Sequence, residues 1–392
     1  MIMFKWLLAQ ILLCVLFLGC SQNENGDYFT VDYQDTSFGV MTICTLDTLK
    51  GILQGNDVVE YTAFDQDDKL RPIFRIPEVV VTNQGTTLVS CENRSVFADK
   101  GEIDILVSRK ERGDSMWHIR NVIPQASESY GRSMNPVFLI DRNGYQGHKG
   151  RIYLFACHLS GEGLAAETTT EQADIIYKYS DDDGKTWSPE HSLKHLWNLS
   201  EYSAALPSAA NGIQMNDGTF LLPTMVVKDG KWRSGLLYKK PDSDWKFSSP
   251  TPNVDDNECT VFIDKGGRII LDCRTKKKIR NRYSFDIASG TFCQLQDCPV
   301  VKINLKAEIR QINTVSGIRK YLMSFVDTEK GKRENLTLYS SSDALNWERV
   351  YRLQEGVIAG AYSNVSSYNG QTFVTYETGD AVKVQDISFF FK

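Results

Sequence analysis

From Tyr28 onward, apolar residues occur in short runs that are separated by Gly, Asn and Asp. Examples are residues 151–155, 219–222, 268–271 and 372–376. No long segment places its apolar residues at a helical period. Short apolar runs between turn residues are typical of strands, so the pattern predicts an all-β protein that is a sandwich, a barrel or a propeller.

One connection between these runs carries a motif that recurs along the chain. The segment that ends at Trp187 reads Ser-Asp-Asp-Asp-Gly-Lys-Thr-Trp. Incomplete versions of this motif end at Trp117, Trp245 and Trp347. Its Asp and Ser can cap turn amides, its Gly permits a positive φ, and its Trp can pack between sheets. Trp187 and Trp245 are 58 residues apart, about one sixth of the β-rich part. A repeat of this length favours a propeller and predicts six blades.

The N-terminus has the pattern of an export signal. Lys5 precedes an apolar run over residues 6–18, which is too short to span a bilayer as a mature helix. The run ends in Gly19-Cys20, which resembles the lipobox of bacterial lipoproteins, although Phe17 stands where Leu is usual. We expect residues 1–19 to be a lipoprotein signal peptide; a plain signal peptide is the alternative.

This signal predicts the domain organisation and the location of the protein. Residues 20–70 would be a tether and an N-terminal strand region, and residues 71–392 would be the propeller domain. Acylation of Cys20 would anchor the chain by lipid in the bacterial periplasm or at the cell surface.

Composition narrows the classes of function. A chain with 42% hydrophobic residues, 24% charged residues and a net charge of −5 is an ordinary globular protein with no sign of nucleic-acid binding. Its nine cysteines form no C-x-x-C pair and its five histidines no H-E-x-x-H pattern, so we expect neither a metal nor a cofactor. Asp181 and Asp183 match part of the pattern of an EF-hand calcium-binding loop, but Tyr179 stands where the first carboxylate ligand is required. Pairing of Cys293 with Cys298 stays open.

The candidate chemistry begins in residues 74–99. Apolar runs on either side of an Asn-Gln-Gly turn predict a β-hairpin. Arg75 lies at its start, and Arg94 and Asp99 lie at its end. These charges are either strand ends in solvent or, because a buried arginine is costly without an anion, parts of a site that binds an anion.

Arg75-Ile76-Pro77, the apolar strand, Arg94 and Asp99 together resemble the first active-site segment of the sialidase (neuraminidase) family. Further fragments follow in the family's order along nearly all of the chain, and they contain Glu258, Arg274, Arg333, Tyr362 with Ser363, and Tyr376 with Glu377. The motif that ends in Trp resembles the Asp-box of the sialidase blades. The chain thus resembles bacterial exo-α-sialidases of glycoside hydrolase family 33, which implies a six-bladed β-propeller with Asp-box turns.

The resemblance implies a binding role for five residues. Arg75, Arg274 and Arg333 would grip the carboxylate on the anomeric carbon of sialic acid through charge-assisted hydrogen bonds. Glu377 would pair with Arg75 and orient it, and Arg94 would reach a ring hydroxyl.

The resemblance implies a catalytic role for three more. Tyr362 would be the nucleophile, since a neutral phenol avoids the repulsion that the substrate carboxylate would exert on Asp or Glu. Glu258 would take its proton, because an unassisted phenol is mostly un-ionised at neutral pH. Asp99 would protonate the departing oxygen and then activate water, with retention of configuration. Asp104 competes with Asp99, but it falls in the next strand.

The sequence does not identify a single substrate. The same arginines would accept another 2-keto-3-deoxy acid sugar, such as deaminated sialic acid or a pectin ulosaric acid. A propeller that only binds sialoglycans and a transferase are further alternatives. Residues 125–132 and 200–205 are suggested for the pocket of the N-acyl group and the glycerol tail, and the oligomeric state is not predicted.

Overall fold

The computed structural model describes residues 60–64, 71–114, 117–124, 132–159, 173–198, 202–277, 279–295, 303–313, 319–379 and 381–388. The predicted signal peptide, Cys20 and most of residues 20–70 lie outside these ranges. In the described part of the chain, none of the helices has the length and apolarity needed to cross a membrane.

The described residues form strands and one short helix. The strands are β1 Glu60–Phe64, β2 Ile73–Val81, β3 Thr87–Arg94, β4 Ile103–Lys110, β5 His118–Ile123, β6 Arg132–Ile140, β7 Ile152–Leu159, β8 Ala173–Ser180, β9 His191–Ser192, β10 Ala204–Pro207, β11 Ile213–Gln214, β12 Phe220–Lys228, β13 Lys231–Lys239, β14 Lys246–Phe247, β15 Asp256–Ile263, β16 Ile269–Thr275, β17 Arg280–Asp286, β18 Thr291–Gln294, β19 Glu308–Asn313, β20 Arg319–Val326, β21 Glu334–Ser341, β22 Glu348–Val357, β23 Ser363–Tyr368, β24 Gln371–Glu377 and β25 Val382–Asp386. Helix α1 is Lys194–Asn198. The prediction of an all-β fold is confirmed.

The strands are arranged as blades of a propeller. Four separate antiparallel sheets have the orders β10-β12-β13-β14 with β11 on β12, β15-β16-β17-β18, β19-β20-β21-β22, and β23-β24-β25-β1. The strands β2 to β9 form one larger sheet of eight strands. The propeller arrangement is therefore confirmed, whereas the number of six blades stays a prediction.

The N-terminal and C-terminal strands meet in one sheet. β1 pairs antiparallel with β25, with Glu60 opposite Gln385. The first described strand thus completes the sheet of the last three strands.

Hydrophobic clusters between the sheets form the core, and the tryptophans that end the repeated motif belong to them or pack against them: Trp117, Trp187, Trp245 and Trp347. The turn before Trp187 is held by its own side chains. Asp182 accepts hydrogen bonds of 2.8 Å and 2.6 Å from the amide and hydroxyl of Thr186. Ser180 accepts one of 2.8 Å from the amide of Gly184, whose φ of +82° suits glycine.

Register shifts occur in β2, β6 and β15, and two of them lie beside predicted site residues. The pairing of β2 with β3 shifts between Arg75 and Glu78, where Ile76 has a φ of +52°. β6 and β15 contain comparable shifts, and the one in β15 lies beside Glu258. A bulge bends the strand and re-aims its side chains, so these positions can turn Arg75 and Glu258 toward a common space.

Candidate active site

Tyr362, Glu258 and Arg274 form one hydrogen-bonded group from three parts of the chain. Tyr362 directly precedes β23, Glu258 lies in β15 and Arg274 lies near the end of β16. The buried hydroxyl of Tyr362 donates a hydrogen bond of 2.5 Å to Oε1 of Glu258. Nη1 of Arg274 donates to the same hydroxyl at 3.0 Å and pairs with Oε2 of Glu258. The phenol therefore has a carboxylate as acceptor and a guanidinium as donor.

The surroundings of Tyr362 keep its phenol protonated. Burial raises its pKa above the usual value of 10, and the negative charge of Glu258 raises it further, while Arg274 and Arg75 oppose this shift. A phenol in this state becomes a good nucleophile only when a base removes its proton. Glu258 is placed to be that base.

Arg75 is held by Glu377, the last residue of β24. Nε and Nη2 of Arg75 lie 3.3 Å from the two carboxylate oxygens of Glu377. The same buried carboxylate accepts hydrogen bonds from the amides of Ile76 at 3.0 Å and Tyr362 at 3.1 Å. Burial alone would lower the pKa of Arg75, but Glu377 raises it overall, so the guanidinium stays charged. One carboxylate thus ties Arg75 to the backbone of Tyr362.

Gly360 makes room for this carboxylate. Its φ is +76°, and a Cβ added at this position would lie 1.7 Å from Oε1 of Glu377. Its carbonyl also accepts a hydrogen bond of 2.6 Å from Nη1 of Arg333. Because any side chain would displace Glu377, the position requires glycine.

The three arginines that the sequence grouped surround Tyr362. The Cζ atoms of Arg75 and Arg333 lie 5.6 Å and 5.8 Å from the centre of its ring, and Arg274 bonds its hydroxyl. Guanidinium groups bind carboxylates through paired N–H donors. The arrangement can therefore hold an anionic group directly above the phenol.

Arg94 and Asp99 lie at the edge of this cluster. Nη1 of the buried Arg94 donates a hydrogen bond of 2.7 Å to Oδ1 of Asp99, and Nη1 of Arg75 lies 3.8 Å from the same oxygen. The Asp99 side chain is 41% exposed. Asp104 instead lies in β4 and pairs with Arg71. Asp99 is thus the carboxylate that a bound substrate can reach.

Sequence reasoning missed two residues that hold the site. Glu92 binds Arg94, with 2.6 Å between Oε2 and Nε, and burial raises its pKa. Since Glu92 precedes Arg94 by two residues in β3, strand alternation could have placed both on one face. Asn304 accepts a hydrogen bond of 2.5 Å from Nε of Arg274, and no pattern around it in the sequence gives a signal.

A buried ionic group adjoins the site. Nζ of Lys306 lies 3.1 Å from Glu78, 3.2 Å from Glu308 and 3.2 Å from the carbonyl of Ser363, the residue after Tyr362. Burial raises the pKa of Glu78, although the charge of Lys306 opposes this. The group connects the core of three sheets to the backbone beside the phenol.

Other sequence-based suggestions concern metal binding, cysteines and the substrate pocket. Within the part of the chain that the structure describes, no group of three or more His, Cys, Asp or Glu could hold a metal. Cys293 is an exposed free thiol, whereas Cys298 lies outside the described residues. Residues 125–131 and 200–201, from the suggested substrate pocket, also lie outside them.

The chain is similar to known proteins in sequence and in fold. A model of the BNR repeat-like domain matches residues 95–374. A curated protein of Paraclostridium sordellii named sialidase is 24% identical over 86% of this chain and 89% of its own length. The sialidase of Clostridium perfringens is 25% identical over 83% of this chain and 92% of its own. Among solved structures, a Hadza microbial sialidase superposes with a TM-score of 0.74 at 23% identity, over 84% of this chain and 68% of that one.

Proposed function

Because the chain belongs to the BNR repeat-like domain family, and its relatives of similar length are sialidases, we propose that it is an exo-α-sialidase. It is a glycoside hydrolase that removes terminal sialic acid from glycoconjugates. The observation that carries this proposal is the hydrogen bond of 2.5 Å between Tyr362 and Glu258 beneath three arginines.

Substrate binding would use the arginines. Sialic acid has a carboxylate on its anomeric carbon, and Arg75, Arg274 and Arg333 would bind it with charge-assisted hydrogen bonds. This contact would place the anomeric carbon over the hydroxyl of Tyr362. It would also hold the negative charge where the positive charge of an oxocarbenium-like transition state develops.

The first chemical step would form a glycosyl–tyrosine intermediate. The oxygen of Tyr362 attacks the anomeric carbon while its proton passes to Glu258. The bond from the anomeric carbon to the leaving sugar breaks, and Asp99 gives a proton to the departing oxygen. Arg94, which bonds Asp99 at 2.7 Å, orients this acid.

The second step would release sialic acid. Asp99, now a carboxylate, takes a proton from a water molecule whose oxygen attacks the anomeric carbon. The bond to Tyr362 breaks and its oxygen regains the proton from Glu258. Two successive inversions give net retention.

The proposal includes the architecture and the location. The eight-stranded sheet contains one parallel pair, Ile103 opposite Arg132, which joins β4 to β6. Division at this pair gives two four-stranded units, β2–β5 and β6–β9, which supports six blades.

The lipobox-like sequence at Cys20 supports a lipid anchor in the bacterial periplasm or at the cell surface.

The test is turnover of fluorogenic N-acetylneuraminic acid and of its deaminated analogue. We expect the first to be cleaved, and Tyr362→Phe to abolish cleavage while the matched variant of an exposed tyrosine, Tyr145→Phe, retains it. Proton NMR should detect the α-anomer of sialic acid first, as retention requires. Cleavage of the deaminated analogue alone would assign another acidic sugar, and binding without product would contradict hydrolysis.

A further inference from the structure

The loop between Arg94 and Asp99 presents two apolar side chains to solvent. Val96 and Phe97 are each 40% exposed. Neighbouring apolar residues that stay exposed beside a charged site are typical of a ligand-binding surface, because solvent exposure of this area is unfavourable. We call Val96 and Phe97 the apolar ledge.

The ledge is held in place by hydrogen bonds. The carbonyl of Phe97 accepts from Nη1 of Arg94 at 3.0 Å and from Nη1 of Arg75 at 3.3 Å. At the base of the loop, the amide of Ser95 donates to the carbonyl of Glu102 at 3.0 Å. The exposure of the ledge is therefore a property of a fixed loop conformation.

The Phe97 ring also contacts Arg75, one of the three proposed substrate-binding arginines. The Cζ atom of Arg75 lies 4.3 Å from the centre of the Phe97 ring. The ring thus lies against the guanidinium, while 40% of the residue stays exposed to solvent. The ledge and the proposed acid share one loop and are two residues apart.

We propose that the apolar ledge is the subsite for the leaving sugar, and that it contacts the C–H face of a neutral pyranose. This inference rests on the proposed function. An acid that protonates the glycosidic oxygen must stand next to the sugar on the far side of that oxygen. Since Phe97 adjoins Asp99, that sugar meets the ring, whose flat apolar face fits the C–H face of a pyranose.

The experiment compares Phe97→Ala with the full-length wild type on two ligands. Sialyllactose, in both linkage isomers, has a leaving sugar, whereas the 2,3-dehydro derivative of sialic acid has none. We expect kcat/KM for sialyllactose to fall about three- to tenfold in Phe97→Ala, and Phe97→Trp to keep most of it. The inhibition constant of the dehydro derivative should change by less than about twofold. Tyr145→Ala, which removes another exposed aromatic ring, should change neither.

Two outcomes would overturn the inference. An equal loss for both ligands would mean that Phe97 only supports Arg75, and an unchanged kcat/KM for sialyllactose would mean that the sugar does not touch the ledge. Failure of the proposed function gives a different result, since the wild type would then cleave no sialoside before any variant is compared.

Discussion

The hydroxyl of Tyr362 donates a hydrogen bond of 2.5 Å to Glu258, although 104 residues separate the two in sequence. The first residue precedes β23 and the second lies in β15, so two different sheets contribute to the pair. Burial and the charge of Glu258 raise the pKa of the phenol. The proposed chemistry depends on this contact, because it places the Glu258 carboxylate where the proposed base must accept the proton.

Glu258→Gln should lower kcat about 10²- to 10⁴-fold, because the amide keeps the shape of the carboxylate but cannot accept the proton. Steady-state kinetics with a fluorogenic sialoside measures this loss. Glu348→Gln, at an exposed position in β22, is the control and should behave as the wild type. A variant of Glu258 with near-normal kcat would exclude this residue as the base.

Tyr362 should make stability depend on pH in the alkaline range. Its folded-state pKa is raised, so above pH 10 the unfolded chain loses this proton while the folded protein keeps it. The contribution of Tyr362 to the free energy of unfolding is full below pH 10 and then falls by about 1.4 kcal/mol per pH unit until the folded pKa is reached.

Urea denaturation of the wild type and Tyr362→Phe, at several values from about pH 8 to 11, measures this contribution as the difference between their free energies of unfolding. The wild type should lose stability more steeply above pH 10. Parallel curves for the two proteins would show that the phenol titrates normally.

Gly360→Ala should disrupt the site, because its Cβ would lie 1.7 Å from Oε1 of Glu377. Gly370→Ala is the matched control: Gly370 has a similar φ of +74°, but nothing lies within 4 Å of its added Cβ. We expect Gly360→Ala to cost more than about 2 kcal/mol beyond the control and to lose activity. Thermal unfolding and turnover of both variants measure these effects. Equal losses in the two variants would mean that backbone strain alone, and not the contact with Glu377, causes the destabilisation.

Lys306→Met should destabilise the protein by about 3–5 kcal/mol, because it leaves the buried carboxylate of Glu78 without its ion-pair partner, whereas Glu308 keeps Arg310 at 2.6 Å. Lys276→Met is the control, since the Lys276 side chain is 66% exposed in its ion pair with Asp255. That variant should change the free energy of unfolding by less than about 1 kcal/mol. Adding Glu78→Gln to Lys306→Met should recover part of the lost free energy of unfolding. A Lys306→Met variant as stable as the wild type would contradict the ion pair between Lys306 and Glu78.

Local sequence determined the strands, the turns and the first cluster of charges. Short apolar runs predicted the all-β fold, because alternation and turn residues act over a few residues. Arg75 and Arg94 came together in one hairpin for the same reason, since its turn at residues 83–85 sets which strand positions meet. The order of the motifs identified the family. The signal peptide, the lipid anchor and the six blades stay predictions.

Only the tertiary structure decided how the sheets face one another. It brought Asn304 to Arg274, set Glu377 against Gly360, and joined Lys306 to Glu78 over 228 residues. Hydrophobic patterning assigns a side chain to a face of its own strand but not to a partner on another sheet. These contacts depend on register shifts and on packing between sheets, whose energies are sums over many distant residues and leave no local signal.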